Sequence, residues 1–199
     1  MNMNTVTLRY AGFWPRFASL WLDFLILLPM NAGTIWGSIH YRLFPVYWFI
    51  PSELFAVYYS IYLVRRYGGT PGKLLMGIKI CKLDGSPVGY REAVLRYLPD
   101  FVIGLLMSIG MLAAVFHMTD ADFGSLTFVE WSKRMTDSAP SWLKPLQLIQ
   151  NIWVWSEFIV LLTNRKRRAI HDFIAGTVVI HKLPKNTIEL NPPIAIQPN

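Results

Sequence analysis

Four long apolar runs separated by polar segments dominate the sequence. They cover residues 17–36, 43–64, 97–116 and 145–163, and the last of them is polar at its start. Each run approaches the length of about 20 residues that an α-helix needs to cross the hydrocarbon core of a bilayer. The pattern predicts an all-α membrane protein whose transmembrane part is a four-helix bundle.

The polar segments between the runs predict a small sheet. Residues 78–83 and 177–182 have the pattern of short strands, and Asp84-Gly85 is a strong turn signal for a β-hairpin. A lone hairpin is marginal in water, and a third strand would stabilise it. We therefore expect 78–83, its hairpin partner and 177–182 to form a small sheet beneath the bundle.

The glycine-rich stretch at 68–73, GGTPGK, invites comparison with a phosphate-binding loop. The first required glycine would fall on Tyr67, and Leu74 stands where that motif needs serine or threonine. The stretch instead predicts the start of a helix, with Thr70 as the N-cap and Pro71 at the first helical position.

Composition and charge distribution support a membrane location. The chain is 53% hydrophobic and 16% charged, whereas soluble domains are about 25% charged. Of the basic residues, 15 lie on one side of the predicted membrane and 4 on the other. The positive-inside rule then places both termini in the cytoplasm of a multi-pass protein of the cell membrane. The net charge of +7 is explained by contact with anionic headgroups of the lipid bilayer, and no nucleic-acid partner is expected.

Motifs for catalysis or metal binding are weak. Cys81 is the single cysteine, so the chain has no intramolecular disulfide and no cysteine-based metal cluster. His171-Asp172 could suggest catalysis, but no second histidine lies at ligand spacing, and no nucleophile-elbow sequence is present. We expect no enzymatic activity, no metal and no cofactor. The expected role of Asp172 is local: it pairs with Arg168 four residues earlier, or it caps its own helix.

Asp23 lies within the first apolar run, where a charged side chain is costly and marks a functional site by default. Arg16 precedes it by seven residues, two turns earlier on the same helix face. We expect the two side chains to interact with each other or with a neighbouring helix. The alternative is a structural charge pair that seats the first helix against its neighbours.

Other acidic residues are expected at a similar depth. Asp23 lies six residues inside the first run, and Glu157 lies six residues before the end of the fourth, which crosses in the opposite direction. Asp100 lies somewhat nearer the cytoplasmic boundary of the third run. Carboxylates from different helices at one level could bind a cation or exchange protons, because like charges in a low dielectric favour an added positive charge. The alternative is a static network in which an arginine neutralises them.

Three stretches resemble the signature regions of the RDD family of multi-pass membrane proteins. They are YAGFWPRFASLWLDFLI at 10–26, GGTPGKLLMGIKICKLDGSPVGYREAVLRYL at 68–98 and RKRRAIHDFIAGTVVI at 165–180. The family is named for one arginine and two aspartates. By this resemblance Arg16 is the arginine and Asp23 is the first aspartate. The second aspartate is carried over to Asp172, with Asp100 as the alternative.

The resemblance implies a bundle of helices and involvement in transport. We expect one transmembrane domain over 1–183 and a disordered tail over 184–199, which has little to bury. The predicted function is a transporter, or a transporter subunit, for a cation or other small solute. The alternative is a non-transporting membrane partner or assembly factor for another membrane complex. Four helices are few for a monomeric secondary transporter, so a homo-oligomer or another membrane protein is an expected partner. The candidate site comprises Arg16, Asp23, Asp100, Glu157 and Asp172.

Overall fold

Among the residues that the structure describes, three helices of the computed structural model are long and apolar enough to cross a membrane. They are α1 (Phe13–His40), α5 (Tyr90–His117) and α7 (Leu143–Thr163). The structure describes residues 9–120, 123 and 126–182. The predicted disorder of 184–199 therefore falls outside the described residues.

The second apolar run is helical throughout, but it is not one uniform α-helix. It comprises α2 (Phe44–Val57), a π-helical turn (Tyr58–Tyr62) and α3 (Leu63–Tyr67). The π turn widens the hydrogen-bonding pattern to i→i+5 and interrupts the α-helix. No single α-helical segment of this run has the length of the other three spanning helices. The structure thus has spanning helices at three of the four predicted positions and does not by itself establish a four-helix bundle.

Capping interactions determine where two of the other helices begin. α5 begins before its apolar run because the amide of Gly89 donates to Glu92 Oε2 at 2.8 Å. In the 117–144 segment, α6 (Phe128–Ser138) begins at a capping box. There Thr127 accepts from the amide of Glu130, and the Glu130 carboxylate accepts from the amide of Thr127.

Two short strands form the sheet beneath the helices. β1 (Ile78–Lys82) pairs antiparallel with β2 (Thr177–His181), so the predicted pairing of these distant segments is confirmed. The predicted hairpin strand is wrong: the chain returns after the Asp84-Gly85 turn only as an isolated bridge between Cys81 and Pro87. Proline has no N–H to extend a ladder, so the sheet has two strands.

Most of the large fully buried side chains lie at the sheet end of the molecule. Ile78, Ile80 and Val179 form a cluster with Val64 and Ala93 of the helices. Two short helices lie at the same end, α4 (Pro71–Leu75) against α1 and α8 (Ile170–Ala175) against α5. The spanning helices instead expose large apolar side chains, as helices that face lipid do.

Candidate functional site

Asp172 is fully buried at the start of α8 and lies at the centre of a charge cluster. Arg16 Nη1 donates to Oδ2 at 2.7 Å, and Arg96 Nη1 donates to Oδ1. The amide of Ala169 also donates to Oδ2, at 3.0 Å, and the Thr177 hydroxyl donates to Oδ1 at 3.1 Å. Each carboxylate oxygen therefore has two donors. We call Arg16, Arg96, Asp172 and Thr177 the Asp172 cluster.

The Asp172 cluster joins segments that are far apart in sequence. Arg16 comes from α1 and Arg96 from α5, while Asp172 itself lies in α8. Arg16 Nη2 also donates to the main-chain oxygen of Arg167 at 2.6 Å. Burial opposes ionisation of Asp172, but the two guanidinium groups outweigh it and hold the pKa of the carboxyl well below its usual range. The cluster acts as an ionic clamp that joins α8 to α1, α5 and β2.

The local role predicted for Asp172 is partly changed by the structure. The carboxylate caps α8 through the amide of Ala169, which is one of the two predicted roles. The Arg168 side chain does not pair with the carboxylate: its Nη2 donates to the main-chain oxygen of Asp172 at 2.7 Å. Arg16 pairs with Asp172 and not with Asp100, the other candidate for the second signature aspartate.

Asp23 forms a second polar site on α1. Its Oδ1 accepts from the Tyr59 hydroxyl at 2.5 Å and from the amide of Gly72 at 2.7 Å. Its Oδ2 accepts from the Thr70 hydroxyl at 2.6 Å. The interaction with Arg16 that the spacing allowed is absent, because Arg16 points to Asp172. Each of the two side chains instead binds a neighbouring element.

Gly72 is required where α4 meets α1. A Cβ atom on Gly72 would lie 2.3 Å from the main-chain oxygen of Ser19 and 2.7 Å from Asp23 Cγ. Thr70 is at the predicted N-cap position of α4, but its side chain makes no capping bond. Its hydroxyl donates to Asp23 and accepts from Lys73 Nζ. The glycine-rich stretch thus serves to bring backbone and hydroxyl donors to a carboxylate.

A cavity of about 420 Å³ lies between α1, the π turn, α4, α5, α7 and α8. Three acidic residues of the candidate site come from the predicted spanning runs. All three line the cavity: Asp23, Asp100 and Glu157. Arg16 and Lys73 also line the cavity, while Asp172 lies behind them in its cluster.

At one end of the cavity, Asp100 and Glu157 have few partners. Asp100 Oδ1 accepts from Trp153 Nε1 at 2.8 Å, and Glu157 Oε1 accepts from the amide of His171 at 3.0 Å. His171 Nδ1 lies 2.5 Å from Glu157 Oε2, and a hydrogen bond to Glu157 works against the lowering of the His171 pKa. This buried oxygen has no other hydrogen-bond partner among the described residues. Burial and the nearby Arg96 lower the pKa of His171, so its ring is neutral at neutral pH.

Near the Asp23 site, Lys73 is a cation without an anionic partner. Its Nζ donates to Thr70 Oγ1 at 3.4 Å, and it forms no ion pair with any residue in the described part of the chain. Burial, with a further contribution from Arg96, lowers the pKa of Lys73 to about 8. From the sequence, Lys73 is only the last residue of the glycine-rich stretch at 68–73, and its place in the cavity was missed.

Within the described residues, no group of three or more His, Cys, Asp or Glu side chains is arranged so that it could hold a metal ion. Cys81, on β1, is buried and has a free thiol. The polar side chains that line the cavity include carboxylates, an amine, an imidazole, two guanidinium groups and a phenol.

Two similar proteins come from Bacillus subtilis (strain 168). The "Uncharacterized membrane protein YteJ" is 22% identical over 199 residues, covering 89% of this chain and 84% of that protein. The "Uncharacterized protein YxaI" is 23% identical over 129 residues, covering 53% of this chain and 85% of that protein. No solved structure matches the chain significantly.

The family model of the RDD family matches residues 10–176. That range includes all three spanning helices, the Asp23 site and the arginines and aspartate of the Asp172 cluster. With apolar spanning helices and a match over most of its length, this chain is a membrane protein that belongs to the RDD family.

Proposed function

We propose that the protein is a small transporter, or a subunit of one, for a cation or other small solute, and that the cavity is its binding site. The observation that carries this proposal is the buried Glu157 Oε2, which among the described residues has no lysine or arginine partner and only the imidazole of His171 beside it. Asp100 lines the same cavity. A buried carboxylate without a cationic partner binds a proton or another cation, because uncompensated charge is costly in low dielectric.

The arginines near the cavity do not remove this need. Arg16 and Arg96 are both bonded to Asp172, and neither forms an ion pair with Asp100 or Glu157 within the described residues. The static network considered from the sequence therefore accounts for Asp172 and leaves the two cavity carboxylates available to a solute.

The proposal includes a fourth membrane crossing by α2, the π turn and α3, with both termini and the sheet in the cytoplasm of the cell membrane. The partition of basic residues, 15 against 4, supports this orientation. Tyr59 and Ser60 of the π turn line the cavity, and π turns inside helices are frequent at functional sites.

Cysteine labelling in intact cells tests the proposed orientation. On a Cys81→Ser background, Ser86→Cys should react with an impermeant thiol reagent only after the membrane is permeabilised. Asp137→Cys, on exposed α6, should react without permeabilisation. Labelling of Ser86→Cys from outside would contradict the orientation.

Solute flux in proteoliposomes that contain only this protein tests the transport function. Sodium, potassium and proton flux should exceed that of protein-free liposomes for at least one ion or coupled pair, and Asp100→Asn should reduce it. The matched control is Glu53→Gln. Glu53 accepts a hydrogen bond from the Ser108 hydroxyl at 3.0 Å and does not line the cavity. Absence of flux for every ion, and for small organic solutes added with them, would contradict transport by this chain alone.

The second candidate function is a non-transporting partner of another membrane complex, with no enzymatic step and no cofactor. The saturated hydrogen bonding of Asp172 and Asp23 favours it, since filled donor sets are typical of structural charges. Purification in mild detergent would yield a stoichiometric second membrane protein under this alternative. The transporter proposal expects this chain alone, as a monomer or a homo-oligomer.

A further inference from the structure

Four charged side chains that line the cavity have no ionised partner of opposite sign among the described residues: Lys73, Asp23, Asp100 and Glu157. Three neutral donors bind Asp23, so Asp100 and Glu157 are the carboxylates still open to a ligand. Within the described residues, neither carboxylate has a lysine or arginine within ion-pair distance, and Lys73 has no carboxylate within 4.0 Å. The remaining charges are used: Arg16 and Arg96 bind Asp172, and three donors fill Asp23. The cavity therefore presents one amine and two carboxyl groups that are open to a ligand.

The free charges lie in two groups. Lys73 is on α4 beside Thr70, and the charges that act on it most strongly are Arg96, Asp23 and Arg16. The charges that act most strongly on Asp100 are His171, Glu157 and Arg96. The amine and the two carboxylates reach the cavity from three different helices, Lys73 from α4, Asp100 from α5 and Glu157 from α7.

We propose, building on the transport function above, that the cavity binds a small zwitterion. The carboxylate of the ligand pairs with Lys73, and its ammonium group lies between Asp100 and Glu157. An inorganic cation would leave Lys73 uncompensated, and a simple anion would leave both carboxylates uncompensated. A zwitterion neutralises Lys73 and one carboxylate, and the second carboxylate keeps the capacity to bind a proton or cation.

The walls and size of the cavity fit such a ligand. Leu20, Val154 and Phe158 line it between the charged groups, and apolar walls suit the methylene chain of an amino acid. At about 420 Å³, the cavity is near the lower end of the range of roughly 300–1,000 Å³ typical of ligand pockets. The ligand class is therefore an amino acid or a similar compound with one ammonium and one carboxylate group.

Thermal unfolding of the full chain in detergent tests the proposal with a set of probes of increasing charge separation. The probes are glycine, γ-aminobutyrate and 6-aminohexanoate, compared with methylammonium chloride and sodium acetate. At equal concentration, one zwitterion should raise the melting temperature more than the other two, and more than methylammonium and acetate added together. The separation of charges in that zwitterion reports the spacing between Lys73 and the carboxylates.

Three variants assign the two ends of the ligand. Lys73→Gln should weaken binding of the preferred zwitterion at least tenfold and leave the effect of methylammonium unchanged. Glu157→Gln should weaken both. Glu53→Gln, outside the cavity, should leave both unchanged. If Lys73→Gln does not fold, Lys73→Arg gives a second test, because its longer side chain should shift the preference toward a shorter zwitterion.

The proposal is overturned if methylammonium stabilises the protein as well as every zwitterion does, or if Lys73→Gln binds the zwitterions as the unmodified chain does. An unchanged probe preference in Lys73→Arg also contradicts it. Ion flux in proteoliposomes without zwitterion binding would overturn the ligand class and leave transport standing. Zwitterion binding without flux of any solute would support the site and count against transport.

Discussion

Asp172 and Glu157 are both buried carboxylates near the sheet end of the helices, but their surroundings differ. Asp172 is 0% exposed, and each of its oxygens has two donors, including two guanidinium groups. Glu157 is 9% exposed and has a main-chain amide at one oxygen; the other has only the ring nitrogen of His171, 2.5 Å away, and no lysine or arginine among the described residues. A filled donor set indicates a structural charge, and an incomplete one indicates a charge that is available to a ligand.

This difference separates the signature residues from the cavity residues. Arg16, Asp23 and Asp172, which the family resemblance singles out, have a hydrogen-bond partner at every nitrogen or oxygen of their charged groups. Depth in the spanning runs is the only signal that singles out Asp100 and Glu157. Their carboxylates are the ones open to a ligand. The signature therefore describes how the spanning helices are fastened to the sheet end, and the solute chemistry lies beside it.

The largest expected effect is that of Asp172→Asn. The change leaves two buried guanidinium groups facing a neutral side chain, and removing one partner of a buried ion pair costs about 3–5 kcal/mol. The variant should lose most of its folded yield in membranes and melt at a markedly lower temperature. Asp137→Asn, at an exposed site on α6, is the matched control and should behave as the unmodified chain. Equal yield and melting temperature for the two variants would mean that the Asp172 cluster is not a clamp.

A smaller loss of stability is expected for Gly72→Ala. The added methyl group would overlap the main-chain oxygen of Ser19 and push α4 away from Asp23, and such overpacking costs about 1–3 kcal/mol. Gly33→Ala is the control, because a Cβ at Gly33 meets no atom within 4 Å. Thermal unfolding in detergent should give a lower melting temperature for the first variant only. Equal melting temperatures would show that the close approach of α4 and α1 is dispensable.

A pH-dependent effect is expected for Lys73→Gln. The folded chain holds the pKa of Lys73 at about 8, against 10.5 for an unperturbed lysine, so between these values the unfolded chain binds more protons. The contribution of Lys73 to the free energy of unfolding therefore rises with pH across this window. Lys73→Gln should be more stable than the unmodified chain at pH 7, and the difference should shrink between pH 8 and 10.5.

Chemical unfolding at several pH values measures this difference. Lys133→Gln, at an exposed position of α6, should show no such trend. A constant difference between Lys73→Gln and the unmodified chain at all pH values would mean that Lys73 is not a desolvated cation in the folded protein.

The smallest effect on stability is expected for Glu157→Gln. The change removes a negative charge that has no lysine or arginine partner within the described residues. The side-chain oxygen of the new glutamine can still accept from the main-chain amide of His171. The melting temperature in ligand-free detergent should be unchanged or slightly raised. A fall comparable to that of Asp172→Asn would show that Glu157 is also part of a structural network.

Helix positions could be predicted from the sequence because they depend on local composition. The apolar runs locate α1, α5 and α7, while the alternating pattern of 78–83 and the strand-like run at 177–182 locate the paired strands. The sequence of the second run carries no recognised local signal for the π turn, so its pattern predicts a uniform helix. Pro87 carried a usable signal against a full hairpin strand, since it cannot donate to a ladder.

The partners of the charges could not be predicted in the same way. Arg16 had Asp23 two turns away on its own helix, but it binds Asp172, 156 residues further along the chain. Helix periodicity gives neighbours within one helix, whereas this choice depends on how α8 folds back against α1 and α5. Lys73 was missed for a related reason: its place in the cavity follows from the contact of Gly72 with α1.

Flux measured with the Glu157→Gln protein in proteoliposomes tests the central distinction most directly. The preparation should contain as much folded protein as the unmodified chain, judged by its melting temperature before reconstitution. We predict that flux of the transported solute falls to the level of protein-free liposomes while the fold is retained. Undiminished flux through a well-folded Glu157→Gln protein would contradict the assignment of the open carboxylate to the transport site.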